Sequence, residues 1–231
     1  MMTIIVVIIV TGALIIGAFW GIYGNISKRL EGFLVALAGG ALLVSALLEL
    51  INPALEKNSV PITLSIVFAG AITFTVLDYL VKEKWGSHSG GGLLAAITLD
   101  GIPENLALGV ALIGASPLSV AALSGSILLS NLPEAAGGAK EMSKNNSKKK
   151  VLWLWIGTSL LLSACALLGH YLLADVSTEY LNYIKCFAGG AVVASLALEV
   201  FPKSFKMDKY WTGLATTIGL VLALYLNTLG K

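Results

Sequence analysis

Long apolar runs broken by short polar turns fill the chain from end to end. The runs lie at about 3–23, 33–52, 60–81, 92–115, 118–140, 151–174, 182–202 and 210–229, and each reaches the roughly 18–20 residues a helix needs to cross a bilayer. They predict an all-α membrane protein of eight transmembrane helices, a single transporter-sized domain over 1–231, with almost nothing left for a soluble unit. The first run has no positively charged stretch before it and is too long for a typical signal segment, so it reads as a retained helix.

Composition agrees with the pattern. Of 231 residues, 57% are hydrophobic and 12% charged, against about a quarter charged in soluble domains, and the mean hydropathy is +0.87. Cys165 and Cys186 make no disulfide framework and read as small packing residues. The charges are unevenly spread. Lys28, Arg29, Lys82, Lys84, Lys140, Lys144, Lys148, Lys149, Lys150, Lys203, Lys206 and Lys209 fall in or beside alternate loops, against Lys57, Lys185 and Lys231 on the other side. By the positive-inside rule the loops after spans one, three, five and seven are cytoplasmic and both termini are outside, as in a multi-pass protein of the plasma membrane. The basic stretch from Lys140 to Lys150 lacks interleaved aromatics, which argues for a solvated connector beside anionic lipid and against nucleic-acid binding.

The chain also resembles itself. Displaced by 150 positions, Ala38-Gly39-Gly40-Ala41 to Ser45 and Glu49 fall on Ala188-Gly189-Gly190-Ala191 to Ser195 and Glu199, with seven of the twelve positions from 38 to 49 identical. Pro53 and Pro202 follow the two copies. In the derived topology spans two and seven run in opposite directions, as do spans four and five. The repeat is therefore inverted, in a 3+2+3 arrangement typical of transporters with a midplane ion site. Gly39, Gly40, Gly189 and Gly190 read as contact points for close helix packing.

Spans four and five carry the chemistry. Leu99-Asp100-Gly101-Ile102-Pro103-Glu104 and Leu129-Ser130-Asn131-Leu132-Pro133-Glu134 each set a Pro-Glu pair in the middle of an apolar run. A charged side chain at mid-membrane costs about 2.5–3.5 kcal/mol on insertion scales, so matched acids imply a shared positive ligand. Asp100 with Glu104, and Ser130 with Glu134, share a helix face at a spacing of four. Each proline withholds a donor from the carbonyl of Leu99 or Leu129, freeing oxygen one turn before the glutamate. Asp100, Glu104, Ser130, Asn131 and Glu134 together make a mainly oxygen set suited to Mg²⁺, Mn²⁺ or Fe²⁺. The competing reading is that the glutamates are protonated or hydrogen-bonded and the prolines are only kinks.

These segments resemble the ZIP family of divalent metal transporters. That family has eight helices with external termini, and carries His-Asn-x-Pro-Glu-Gly on the fourth helix and His-x-x-Pro-Glu or His-x-x-Pro-His-Glu on the fifth. Asp100 stands at the first histidine position, Gly101 at the asparagine and Glu104 at the glutamate, while Ser130, Asn131 and Glu134 take the equivalent places on the fifth. The resemblance implies uptake of a divalent metal of the zinc, iron or manganese class into the cytoplasm. It further implies one mainly carboxylate site of Asp100, Glu104, Ser130 and Glu134, with Asn131 peripheral. Both motif histidines are absent, and the family's histidine-rich third loop is reduced to His88. The metal is substrate rather than cofactor, and the sequence leaves room for a homodimer.

Glu49, Asp78 and Glu199 are candidate stations along the path, with a competing reading as interfacial acids reaching water or a nearby lysine. His170, in span six, reads as a satisfied polar residue. A zinc hydrolase would need more histidines than His88 and His170, and a lipid-phosphate enzyme more arginine than Arg29, so no enzyme is expected. A ZIP-like fold acting as a metal sensor or membrane interaction protein without transport is the other alternative.

Overall fold

The structure, a computed structural model, describes residues 1–85, 90–116 and 120–229. His88 and Lys231 lie outside the described residues. Within them the chain is helical, without strands. The elements run α1 (Met2–Tyr23), α2 (Lys28–Ser45), a π-helical segment (Ala46–Ile51), α3 (Asn52–Lys57), α4 (Val60–Trp85), α5 (Gly90–Ala111) and α6 (Ala121–Met142). They continue with α7 (Lys148–Leu172), α8 (Thr178–Ser195), a second π-helical segment (Leu196–Val200), α9 (Phe201–Asp208) and α10 (Trp211–Leu229). Ser27 and Ser147 cap α2 and α7, their hydroxyls accepting from the backbone N–H of Leu30 and Lys150, groups that the first turn would leave unpaired.

Seven helices among the described residues are long and apolar enough to cross a membrane, and the chain is a multi-pass membrane protein. The remaining expected span, α6, has 22 residues, yet its composition is too polar to qualify. The reason is its surroundings. It packs against α1, α2, α5, α7 and α10, so protein, not lipid, selects its side chains, and Ser126, Ser130 and Asn131 are all buried.

Spans two and seven are longer than their hydropathy suggests. Pro53 and Pro202 do not end them, because each chain passes into its proline through a π turn. Asn52 N–H reaches back to Leu47 O and Phe201 N–H to Leu196 O. Such wider turns commonly accommodate an irregularity inside a helix and recur at functional positions. Glu49 and Glu199 both fall within these segments.

Small residues set the helix neighbours. A Cβ on Gly40 would run into the carbonyl of Thr216 on α10, and one on Gly190 into that of Val67 on α4. Gly39 meets Val200 and Phe201, whereas Gly189 meets Leu50 and Ile51, so each glycine pair touches the opposite copy's π segment. Where lipid is as apolar as the side chains, such close approach is what holds helices together. The neighbours are α1 with α6, α5 with α7, α2 with α10 and α4 with α8, with α2 also against α6 and α8 against α5.

Helices α4 and α10 lie at the periphery, with only 17% and 22% of their apolar windows buried against 67% for the α2–α3 span. Phe68, Ile72, Leu222 and Tyr225 project outward. Four hydroxyls on α4 and α10 are satisfied locally: Ser65, Thr73, Thr75 and Thr217 each donate to a carbonyl four residues earlier, the partner a dry surrounding favours. Cys165 and Cys186 are free, and Cys186 is buried with its thiol against Leu50 O.

Candidate functional site: an acidic pair of helices

Asp100 and Glu104 lie on one face of α5. Leu99, Ile102, Pro103 and Leu106 occupy another, where they line an apolar cavity of about 150 Å³ with Phe74 of α4 and Ala188 and Ala191 of α8. The helix thus sorts its acids from its aliphatics, and Pro103 sits on the aliphatic side. Both prolines lie inside their helices, which continue beyond them to Ala111 and Met142.

The acids are enclosed. Asp100 is 9% exposed, Glu104 6% and Ser130 3%, and Glu134 lies within electrostatic range of both α5 carboxylates. On α6 the Ser130 hydroxyl donates to Glu134 Oε1 at 2.7 Å, so the expected spacing of four does put both groups on one face. Asp100, Glu104, Ser130 and Glu134 therefore gather where α5 and α6 meet. Among the described residues no three His, Cys, Asp or Glu side chains converge closely enough to hold a metal on their own. The carboxylates are neighbours through their fields, not a finished cage.

Asn131 is turned to a different partner. Its Nδ2 donates to Val10 O of α1 at 3.0 Å, one link in a polar seam that also joins Ser159 to Thr11 O and the Thr11 hydroxyl to Ser163. His170 belongs to the same interface, with Nε2 at 3.2 Å from the Thr3 hydroxyl.

The three path residues each have a lysine nearby. Glu199 and Asp78 share Lys82, which lies 2.8 Å from Asp78 Oδ2 and is in direct contact with Glu199 Oε1. Glu49 has Lys185 within electrostatic range, although both its carboxylate oxygens are buried without a hydrogen-bond partner. Glu199 also acts electrostatically on Asp100 and Glu134. A run of negative groups thus leads from the α5–α6 acids through Glu199 to Asp78.

Four residues were not anticipated. Ser195 lies beside Asp100; its identity with Ser45 in the internal repeat was the available signal. Asn105 is fully buried beside Glu104 and donates to Gly101 O at 2.8 Å. Lys82 stands four residues after Asp78, a helical pairing distance legible in the sequence. Glu31 is buried at the start of α2, 3.7 Å from Lys203, and lines a cleft of about 280 Å³ with Lys28, Lys140 and Lys144; nothing in its flanking residues announces that burial. No protein-family model and no curated protein matches the chain.

Proposed function

We propose that this protein carries a divalent metal cation across its membrane, as a divergent ZIP-like transporter. The supporting observation is the burial of Asp100 and Glu104 at the α5–α6 contact with half-buried Glu134 in electrostatic range of both, while Lys203 acts on Glu134 alone of the three. Buried acids without equal positive charge are costly. A divalent ion offsets that cost, and oxygen ligands suit Mn²⁺ or Fe²⁺.

The helix neighbours support the 3+2+3 reading. Exchanging the first three spans for the last three, and span four for span five, converts the α1–α6 contact into α7–α5 and the α2–α10 contact into α8–α4. With termini outside, as the lysine bias favours, Glu49 would face the outer approach and Glu199 the cytoplasmic one. The cation passes from Glu49 to the α5–α6 acids and leaves past Glu199 and Asp78, by alternating access of the outer helix groups around α5 and α6.

Uptake of Mn²⁺, Fe²⁺ and Zn²⁺ into proteoliposomes tests this. Glu104→Ala and Glu134→Ala, purified as folded protein, should each lower uptake by about tenfold or more, the scale of losing one charge-assisted contact. Uptake equal to the parent's in both variants would remove the acids from the path. A second reading rests on the absence of both motif histidines: a ZIP-like protein that acts as a metal sensor or membrane interaction partner without transport. Saturable Mn²⁺ binding with no flux would identify it.

A further inference from the structure

Lys82 is held between two helices. From α4 its ammonium donates to Asp78 Oδ2 at 2.8 Å and pairs across the interface with Glu199 of the second π segment. Asp78 is 4% exposed, and its other oxygen, Oδ1, is buried with no hydrogen-bond partner. Glu199 is in turn within electrostatic range of Asp100. One ammonium thus sits between two carboxylates at the end of the acidic run, leaving the trio a single net negative charge. Without that ammonium the two carboxylates carry two, the charge that neutralises a divalent ion.

We propose that Lys82 is a tethered counter-ion filling an inner divalent-cation site made by Asp78 and Glu199, and that the cargo leaves the α5–α6 acids by displacing it. The inference rests on the transport reading above. A free monovalent ion that replaced the ammonium would exchange one unit charge for another, and it would compete against a group whose tether keeps it permanently close. A divalent ion interacts twice as strongly with both acids. Lys82 therefore passes divalent ions and rejects Na⁺ and K⁺. The symmetry-related acid has no such device: among the described residues no ammonium is in direct contact with Glu49, on which Lys185 acts only through its field. The lock belongs to one end of the path.

The test counts bound Mn²⁺ by electron paramagnetic resonance on the purified full chain. At Mn²⁺ concentrations too low to displace the ammonium from the parent, Lys82→Met should bind one Mn²⁺ more than the parent, and Lys82→Arg should not. Adding Asp78→Asn or Glu199→Gln to Lys82→Met should abolish the extra ion. Adding Glu104→Ala should leave it, so that failure of the α5–α6 site and failure of the inner site are read separately. An unchanged Mn²⁺ count in folded Lys82→Met overturns the proposal. If that variant does not fold, the parent decides: saturating Mn²⁺ should speed acylation of Lys82 by a water-soluble reagent about threefold or more as the pair opens. A rate unaffected by Mn²⁺, with other lysines as internal controls, overturns it equally.

Discussion

Asn131 shows how a residue beside a motif can take a packing partner of its own. Its neighbour Ser130 points along α6 to Glu134, whereas Asn131, one position on and about 100° around the helix, reaches Val10 O on α1. Asn131→Ala should therefore lower unfolding stability in detergent by about 0.6–2 kcal/mol, the range for hydrogen bonds between membrane helices. The KM for Mn²⁺ in folded protein should be unchanged, and a raised KM with unaltered stability would return Asn131 to the cation path. Glu104 and Glu134 could be singled out in the sequence because an acid in an apolar run is expensive wherever it points. Ser195 carried only its match with Ser45 in the repeat as a signal, since serine is tolerated in membrane helices, and its placement beside Asp100 appears only in the fold.

Among elements, the glycine pairs and the π segments work together. Gly190 lets α8 approach the Val67 carbonyl, while Gly189 accepts Leu50 and Ile51 of the first π segment. A leucine at 190 has no space, because the obstacle is backbone rather than a movable side chain. Gly190→Leu should cost about 1–3 kcal/mol or more, seen as a lower melting temperature by fluorescence-detected size exclusion, and uptake should fall with the loss of the α4–α8 contact. Gly213→Ala, at a glycine with open space around it, should leave both unchanged. The small-residue repeat was legible as a packing signal. The π turns were not, because Pro53 and Pro202 read equally well as the end of a helix or as an interruption within one. What keeps these helices going is the protein around them.

For the whole molecule, orientation is a matter of charge, and it is testable without reference to transport. In a background of Cys165→Ala and Cys186→Ala, a cysteine at exposed Asp175 should react with a membrane-impermeant maleimide on intact cells. One at exposed Asn145, in the lysine-rich connector, should react only after permeabilisation. The reverse labelling would invert the path. The sequence by itself determined that the chain is a helical membrane protein, where its spans lie apart from the extensions of spans two and seven, and which acids are too costly to be incidental. Each of these follows from the local free energy of placing a residue in hydrocarbon. Which face of each helix meets lipid or protein was decided only by tertiary packing, since both surroundings are apolar and hydropathy does not separate them. Packing also decided that α6 is enclosed enough to be polar and that Asn131 turns to α1. It joined Lys82 to an acid more than a hundred residues away, a pairing whose energy exists only once α4 and α8 are side by side.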